Sequence, residues 1–405
     1  MPATALHCRI CESEHALEAV GTCQRCFGPL DPVYDWDEVE RRFTREGIAA
    51  GPSSIWRYAP LLPVDAPAEP RLAPGLTPLV PAPRLAAATA TTRSLNECVG
   101  FAVSSLSHSS PRPSAAAKAQ ELGLQTLACS STGNLANAVA ARAAAEGLEA
   151  AVFCPVDLEP EKLLATAVYG ATIYAVRGSY DHCSRLTVEL SFELDWAFVN
   201  VTLRSYYAEG SKTLAYEIVE QLGWQAPDAV VCPIASGALF SKIAQGFDEL
   251  RRLGLVAGTP RLFGRQAEGC PPVATAFAER RKVEPVRPAT LARSLAIGNP
   301  ADGDFAIAAA ETSRGGIYAV AEDEIGSNMG LLAETAGVFG ETAAGVTLGA
   351  LREAVRRGEL GASDTVVLLV TGDGLKTPGP VADRLQPVAI EPDADAVLDR
   401  LGVAV

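Results

Sequence analysis

The chain has 405 residues, a length that accommodates two or three domains. Hydrophobic residues make up 48% and charged residues 20%, which is typical of globular proteins with large buried cores. The net charge of −14 disfavours nucleic acids and anionic membranes as partners. No basic region followed by an apolar run opens the sequence, and no apolar stretch approaches the roughly 20 residues of a membrane span. We therefore expect a cytoplasmic protein, while the net charge says nothing about a small anionic ligand, which responds to the local field of its pocket.

Four of the ten cysteines crowd the N-terminus in two CxxC knuckles: Cys8, Cys11, Cys23 and Cys26. Each knuckle brings two thiolates to one side of a tight turn, and four thiolates match the tetrahedral preference of zinc. Residues 1–32 are therefore predicted to form a small zinc-ribbon-like module. The metal would be structural, because four protein ligands leave no open position. The alternatives are four unrelated free thiols, or a metal site whose ligands survive without a metal. His7 and His15 are superfluous to such a site, and we expect them at the surface.

A proline-containing connecting arm over residues 33–90 precedes a repeating pattern of strands and helices. Short apolar segments rich in β-branched residues predict strands covered on both faces: Thr126–Cys129, Ala150–Cys154, Thr172–Val176, Ala197–Val201, Ala229–Pro233, Arg261–Phe263 and Thr365–Val370. Helical patterns alternate with them: Ala115–Leu122, Ala136–Glu146, Pro160–Tyr169, Tyr180–Glu193, Thr213–Leu222, Phe240–Leu253 and Ala343–Arg357. Such alternation indicates parallel sheets flanked by helices, in which ligands bind beyond the carboxyl ends of the strands.

Three polar loops follow predicted strands at those ends. In Ser131-Thr132-Gly133-Asn134, hydroxyls and backbone N–H groups suit a carboxylate or phosphate, although a plain helix cap has the same composition. In Ser236-Gly237-Ala238-Leu239, small residues let the backbone approach a phosphate closely. In the third, Thr371 follows the most apolar strand and precedes two glycines, a pattern that also fits an ordinary tight turn. We predict that these loops carry the chemistry.

Read in order, these loops and other motifs resemble threonine synthase and its relatives among the fold-type II pyridoxal-phosphate (PLP) enzymes. The matching segments span nearly the whole chain: Gly28-Pro29-Leu30, Val33-Tyr34-Asp35, Ile55-Trp56-Arg57-Tyr58, Thr77-Pro78-Leu79, Ser130–Asn134, Tyr207–Thr213, Gln266–Cys270, Ala296–Pro300, Glu341-Thr342-Ala343 and Thr371-Gly372. The resemblance implies an α/β fold of the tryptophan-synthase-β type with two parallel-sheet domains behind the cysteine module. The large PLP-binding domain would comprise residues 91–125 and 214–385, the small mobile domain 126–213 and a C-terminal tail 386–405.

The resemblance also implies an activity and a set of residue roles. Threonine synthases convert O-phosphohomoserine and water to threonine and phosphate. By similarity, Asn134 would hydrogen-bond the phenolic oxygen of PLP and Thr371 would contact its pyridine nitrogen. The PLP phosphate would be bound by backbone N–H groups of Ser236, Gly237, Ala238 and Leu239. The substrate carboxylate would be bound by Ser131, Thr132 and Gly133.

One family motif is absent. The family carries Ser-Phe-Lys-Asp-Arg one helix before the serine-rich loop, and its lysine forms a Schiff base with PLP and transfers protons. Counting back without gaps from the helix that contains Lys118, the lysine position falls on His108. No lysine lies between Asn96 and Lys118. An imidazole cannot form the Schiff base, although it can transfer protons near neutral pH. Lys212 and Lys242 are expected near phosphate groups rather than as replacements.

Three explanations of His108 stay open. The lysine has been lost and the chain is a pseudoenzyme, or His108 transfers protons with free PLP or without PLP. Alternatively, residues 102–113 carry a reading-frame artefact. If His108-Ser109-Ser110 is encoded by CAT-TCA-AGN, the overlapping frame reads TTC-AAG, which is Phe-Lys. We expect a loop over residues 104–112, because Pro111 and Pro113 oppose an earlier helical start.

Three functions also stay open. The first is a threonine synthase-like lyase, and the second is a non-catalytic protein that binds PLP or a phosphorylated amino acid. The third is a β- or γ-elimination on another amino acid, as in threonine dehydratases or cysteate synthases. The cysteine-rich head and Glu341-Thr342-Ala343 favour the synthase. A homodimer is an expectation from the family alone.

Overall fold

The computed structural model describes residues 2–67, 72, 74–89, 99–103, 112–390, 392 and 394–401. His108 and residues 104–111 of the predicted loop therefore lie outside the described residues. Arg112, which we expected at the end of that loop, instead begins a helix that ends at Glu121. Pro113 is tolerated there because the N–H groups of a helix's first turn have no intrahelical acceptor.

Strands of the described residues form three sheets. In chain order the strands are β1 (Ala3–Cys8), β2 (Glu14–His15), β3 (Leu30–Tyr34), β4 (Leu79–Pro81), β5 (Val99–Val103), β6 (Thr126–Ser130), β7 (Glu149–Pro155), β8 (Thr172–Val176), β9 (Ala197–Phe198), β10 (Ala229–Pro233), β11 (Arg261–Ala267), β12 (Gly316–Val320) and β13 (Val366–Val370). The antiparallel order β2-β1-β3 forms the N-terminal sheet, β8-β7-β6-β9 a parallel four-stranded sheet, and β12-β11-β10-β13-β5-β4 a six-stranded sheet. In the last, β4 alone runs antiparallel, at one edge.

Helices cover the faces of the two larger sheets. The α-helices of the described residues are α1 (Trp36–Arg42), α2 (Arg45–Ala50), α3 (Pro83–Thr89), α4 (Arg112–Glu121), α5 (Asn134–Glu146), α6 (Pro160–Ala167), α7 (Tyr180–Leu190), α8 (Arg204–Glu209), α9 (Thr213–Gln221), α10 (Ala238–Arg252), α11 (Pro272–Glu279), α12 (Gly303–Thr312), α13 (Glu322–Ala336), α14 (Thr342–Arg356) and α15 (Ala394–Leu401). Short 3-10 helices are Ile55–Leu61, Gly210–Lys212, Arg293–Leu295, Gly374–Lys376 and Gly379–Arg384. Among these helices none is both long and apolar enough to cross a membrane.

The central strands of the six-stranded sheet are buried on both faces. All five residues of β10 and of β13 are buried. Successive side chains point to opposite faces, so Val230 and Val367 enter the core on one side while Val231 and Leu368 enter the core on the other. Each buried Val or Leu contributes about 1.5–3 kcal/mol. The continuous apolar runs in the sequence therefore have the physical cause we expected, a parallel sheet between two helical layers.

Two predicted strands differ from the observed ones by more than two residues. β11 extends to Ala267, because its later residues pair in register with β12, a strand missed from the sequence. β9 ends at Phe198 rather than Val201. Beyond it, the Asn200 side chain replaces the backbone ladder: its amide accepts from the Ser130 N–H at 3.2 Å and donates to the Ser130 carbonyl at 3.0 Å.

The predicted connecting arm is more structured than its prolines suggested. It contains two short helices, the 3-10 helix Ile55–Leu61, edge strand β4 and α3. Tyr58 and Phe43 pack against Tyr216 of α9, with ring centroids 5.3 and 5.2 Å from that of Tyr216. Aromatic burial therefore anchors the arm to the main body of the protein.

Candidate functional site

A cavity of about 310 Å³ is lined by the carboxyl ends of strands from both parallel sheets. β6 contributes Ser130, β10 contributes Pro233, and Thr371 directly follows β13. The cofactor and substrate residues predicted from the sequence, His108 excepted, all line it: Ser131, Thr132, Gly133, Asn134, Ser236, Gly237, Ala238, Leu239 and Thr371. The structure thus brings together loops that are up to about 240 residues apart in the chain, at the edge where parallel α/β sheets bind ligands.

The loop before α5 folds around the Ser131 hydroxyl. Its Oγ accepts from the N–H of Gly133 at 3.2 Å and from that of Ala136 at 3.1 Å. Thr132 Oγ1 donates to the carbonyl of Arg293 at 3.2 Å. The Ser131 hydroxyl thus has the capping role that we considered as the alternative. The N-terminus of the 13-residue helix α5 still lies at the cavity wall, where its dipole favours an anion.

Asn134, the first residue of α5, is held by three partners. Its Nδ2 donates to Glu341 Oε1 at 2.8 Å and to the Thr371 carbonyl at 2.7 Å. Its Oδ1 accepts from Lys376 Nζ. Since two acceptors face the nitrogen and a donor, the Lys376 ammonium, faces the oxygen, these partners fix which way the amide points. The side chain is therefore pre-positioned between the two sheets.

The loop before α10 requires a glycine. Gly237 has φ +92°, a backbone conformation that side chains disfavour, and a Cβ there would lie 2.5 Å from the Asp302 carbonyl oxygen. The Ser236 carbonyl accepts from the Asp302 N–H at 2.8 Å. These constraints hold the N-terminus of the 15-residue helix α10 against the cavity. Backbone N–H groups at such a terminus form a natural phosphate site.

Charged and titratable groups are unevenly placed in the cavity. Arg204 is the one arginine or lysine among the lining residues that the structure describes. Its guanidinium pairs with the buried carboxylate of Asp302. Burial raises the pKa of Tyr180 to about 12 and raises the pKa of Asp181 above its ordinary value. Tyr180 therefore stays neutral near pH 7, and Arg204, paired with Asp302, is the cationic group that the described lining residues offer to an anionic ligand.

The lysines do not occupy the positions we expected. Lys212 Nζ lies 2.9 Å from Glu249 and Lys242 Nζ 2.8 Å from Asp31, so both are buried among carboxylates rather than beside a phosphate site. β5 ends at Val103, which pairs with Val370, the residue before Thr371. The chain therefore enters the segment that contains His108 at the same sheet edge as the cavity.

The four N-terminal cysteines form one cluster. The Sγ atoms of Cys8, Cys11, Cys23 and Cys26 all lie within 4.8 Å of one another. The Ser13 hydroxyl lies 3.2 Å from Cys23 Sγ, and its hydrogen bond lowers the pKa of that thiol to about 5. His15 contacts Ser13 at 3.2 Å and lies outside the cysteine set. The cluster could hold a metal ion, and its four thiolates leave no position open for substrate.

A family model described as pyridoxal-phosphate dependent enzyme matches residues 70–372. The chain is 31% identical to the threonine synthase of Methanosarcina acetivorans, with 98% of each chain covered. The chain belongs to the threonine synthase family. It is also 35% identical to the threonine synthase of Halalkalibacterium halodurans, an alignment that covers 71% of this chain and 79% of that one.

Solved structures share the fold at lower identity. Diaminopropionate ammonia lyase from Escherichia coli superposes with a TM-score of 0.62 at 18% identity, covering 87% of this chain and 93% of that one. Threonine deaminase isoform 2 from Solanum lycopersicum gives a TM-score of 0.60 at 18% identity, covering 84% and 85%. The predicted fold-type II architecture with two parallel-sheet units is thereby confirmed.

Two buried polar atoms indicate that a polar ligand or water completes the cavity. Within the described part of the chain, Ser294 Oγ and Glu341 Oε2 are buried without a hydrogen-bond partner, and both residues line the cavity. Buried polar atoms without partners are rare in native proteins and often indicate a ligand or water that completes them. With the helix terminus at Ser236–Leu239 for a phosphate and Asn134 at the wall, the described residues fit PLP, apart from the missing lysine.

Several residues of the site carried no role in the sequence interpretation. Glu341 was part of a quoted motif, but its contact with Asn134 spans 207 positions in the chain and gives no local signal. Tyr180 and Asp181 begin α7, directly after β8 and its short loop. The rule that ligands lie beyond the carboxyl ends of strands would have pointed to them.

Proposed function

We propose that this chain binds PLP in the cavity and takes O-phosphohomoserine as its ligand, in the manner of a threonine synthase. The reaction of that enzyme class turns O-phosphohomoserine and water into threonine and phosphate. The observation that carries the proposal is that two helix N-termini, those of α5 and α10, face one cavity with Asn134 between the two parallel sheets. Threonine synthases that match nearly the whole chain support it.

Each cofactor contact follows from the chemistry of the loop that makes it. The backbone N–H groups of Ser236–Leu239 bind the phosphate of PLP, since the terminus of α10 favours negative charge. Asn134 binds the phenolic oxygen by turning to it one of the two amide N–H groups that donate to Glu341 and Thr371 in this structure. Thr371 donates to or accepts from the pyridine nitrogen. Bound PLP supplies an electron sink for negative charge that develops on substrate carbon atoms. A hydroxyl at the pyridine nitrogen makes PLP a weaker electron sink, because a hydroxyl does not keep a proton on the ring nitrogen as a carboxylate would.

The substrate lies between a carboxylate site and a cation. The Ser131, Thr132 and Gly133 loop binds its carboxylate at the start of α5, and Arg204 binds its phosphate. Arg204 suits this role because a guanidinium donates two parallel hydrogen bonds to phosphate oxygens. Asp181, whose carboxyl is more readily protonated than usual because of its burial, can hold a proton beside these groups.

The histidine at position 108 limits the catalytic activity that we expect of this chain. Without a lysine there, no covalent link to PLP forms at residue 108, so the chain as written binds cofactor and substrate with little or no turnover. The second candidate, a non-catalytic protein that binds PLP or a phosphorylated amino acid, rests on this same substitution. The two candidates share the cavity and differ in whether phosphate is released.

A titration with PLP, followed by borohydride reduction and peptide mass spectrometry, tests the proposal. We expect saturable PLP binding, no pyridoxyl group on residue 108, and a tighter complex when O-phosphohomoserine is added. Phosphate release is then measured over hours. Steady release would refute our view that a lysine at position 108 is required, whereas a failure of PLP to bind would refute the cofactor assignment.

We propose zinc as the metal of the cysteine cluster. The tetrathiolate set and the two CxxC knuckles support this choice. Elemental analysis should give about one zinc per chain, and Cys11→Ser should abolish it. Cys183→Ala is the matched control, since Cys183 is a buried cysteine outside the cluster. Loss of zinc in the control, or none in the wild-type chain, would contradict the assignment.

We also propose the domain division implied by the family resemblance. Residues 126–213 would move as the small domain relative to 91–125 and 214–385, behind the module of residues 1–32 and the arm of 33–90, with 386–405 as a tail. Limited proteolysis with and without PLP tests the boundaries. A cytoplasmic location and a homodimer are proposals of the same standing, to be checked by cell fractionation and light scattering.

A further inference from the structure

Arg9 connects the cysteine cluster to the interior of the protein. It lies inside the first knuckle, between Cys8 and Cys11, and its backbone N–H donates to the Pro29 carbonyl at 3.0 Å. Its guanidinium covers the Phe305 ring, with Cζ 3.6 Å from the ring centroid. The side chain is 23% exposed, so much of it is packed against the protein. Cation–π stacking of this kind holds a guanidinium in one orientation.

That orientation brings Arg9 to Asp302. Arg9 Nη1 lies 3.8 Å from Asp302 Oδ1, and Arg9 Nε lies 3.5 Å from Asp31. The Asp302 side chain is 3% exposed, and its other oxygen, Oδ2, accepts from Arg204 Nη2. One buried carboxylate therefore lies between a guanidinium of the cysteine knuckle and the guanidinium of the cavity wall.

Asp302 is also fixed to the loop before α10. Its backbone N–H donates to the Ser236 carbonyl at 2.8 Å, and its own carbonyl lies 2.5 Å from the position a Gly237 Cβ would take. A shift of Asp302 would therefore displace both Arg204 and the loop at Ser236 and Gly237 that we propose binds phosphate. Packed contacts transmit such shifts because protein interiors are dense.

The charges explain why Arg9 matters for a ligand. If Asp302 had Arg204 as its sole cationic partner, the pair would be neutral and an incoming phosphate would compete with a buried carboxylate for the guanidinium. Arg9 shares the charge of Asp302, so Arg204 retains attraction for an anion in the cavity. Without Arg9, the negative charge of Asp302 would be left to Arg204, which already pairs with Asp302 Oδ2 and would be held there more strongly, at the expense of the ligand.

We propose that Arg9 is a positioning residue for the cavity: through Asp302 it keeps Arg204 available to the phosphate of the ligand, so that metal binding at the cysteine cluster strengthens binding of a phosphorylated amino acid. The inference rests on the proposed function for the identity of that ligand. The metal acts through the knuckle, because a tetrathiolate site orders the backbone that carries Arg9.

Calorimetric titration of the PLP-saturated chain tests this inference, with O-phosphohomoserine and L-threonine as the two ligands. We expect Arg9→Ala to raise the Kd for O-phosphohomoserine roughly tenfold, within the usual range of coupling between sites, and to leave the Kd for L-threonine, which lacks a phosphate, unchanged. Arg9→Lys should restore part of the affinity, since it keeps the charge without the planar guanidinium. Arg25→Ala is the matched control, because Arg25 lies in the second knuckle and is exposed.

Metal removal supplies an independent readout. Chelation should weaken O-phosphohomoserine binding in the wild-type chain by a similar factor and add little in Arg9→Ala, because both changes act through the same residue. If Arg9→Ala retains metal and binds both ligands as the wild-type chain does, the inference is wrong. Equal weakening of both ligands would also overturn it, since that indicates a general structural defect. If the wild-type chain itself fails to bind O-phosphohomoserine, the proposed function fails instead.

Discussion

The Asn134 side-chain amide donates to the Glu341 carboxylate across 2.8 Å, and this bond joins the start of α5 to the residue that precedes α14. It connects the helical layer of the four-stranded sheet to that of the six-stranded sheet at the cavity. Glu341 is 1% exposed, so the bond forms away from water and is strengthened by its surroundings.

Glu341→Ala should weaken PLP binding by about tenfold or more, because a hydrogen bond to a charged group contributes about 1.5–3 kcal/mol. Without it, Asn134 loses one of the two acceptors that fix the orientation of its amide at the cavity wall. Glu341→Gln, which keeps an acceptor oxygen, should lose less. Absorbance titration with PLP gives the affinities. The control is Glu353→Gln in α14, the helix that Glu341 precedes, where the carboxylate pairs with Arg356 and Arg357 at the surface. A comparable loss in the control would contradict the prediction.

Restoring the family motif should restore the covalent link to PLP. The replacement places Ser, Phe, Lys, Asp and Arg at positions 106–110, where this chain has Leu106-Ser107-His108-Ser109-Ser110. We expect borohydride to fix a pyridoxyl group on residue 108 in this variant, detected as a mass shift on the peptide. His108→Lys alone should give little, since the neighbouring residues that position the lysine are still absent. Full labelling by the single substitution would show that the neighbours are dispensable.

The two glycines that flank α10 allow the effect of backbone strain to be measured separately from the effect of close contact with neighbouring atoms. Gly237, before the helix, has φ +92° and lies against the Asp302 carbonyl, whereas Gly254, after it, has φ +66° and open space around its Cβ position. Gly254→Ala should cost about 1–2 kcal/mol of unfolding free energy from the left-handed backbone alone and leave PLP binding intact. Gly237→Ala should cost more and also abolish PLP binding, because the phosphate-binding loop must move. Urea denaturation and PLP titration measure both effects, and intact PLP binding in Gly237→Ala would rule out a close fit of this loop.

A buried carboxyl group predicts a pH-dependent stability difference. Burial raises the pKa of Glu217 above its ordinary value of 4.5, although the Thr77 N–H donates to it at 2.8 Å. Because the pKa is raised in the folded state, protonated Glu217 makes its full contribution to the unfolding free energy below about pH 4.5. That contribution is lost as the pH rises through the folded-state pKa. Glu217→Gln removes this titration.

The unfolding free energy of Glu217→Gln should therefore rise relative to the wild-type chain between pH 4 and pH 7. Guanidinium denaturation at a series of pH values measures the difference, and Glu161→Gln, at an exposed position in the first turn of α6, serves as control. A difference that is flat or that falls with pH would show that Glu217 is not penalised by burial.

Local chemistry and residue order by themselves determined much of this protein. The apolar runs of β10 and β13 predict buried parallel strands, since such strands have no polar face. Two CxxC knuckles predict the cysteine cluster, because their spacing brings the thiols together within a short segment. The loops at Ser131 and Ser236 were identified because small and hydroxyl residues between a strand and a helix are suited to anions.

Only the tertiary structure decided how these parts act on one another. The pairing of Asn134 with Glu341, and the position of Asp302 between Arg9 and Arg204, join residues that are distant in the chain and have no periodic pattern. Lys212 and Lys242 pair with the carboxylates of Glu249 and Asp31 rather than lying at a phosphate site. A buried ammonium needs an opposite charge nearby, and the fold places these carboxylates beside it. The sequence shows which charged groups are present, whereas the burial and the distances in the folded chain determine which opposite charge each group contacts.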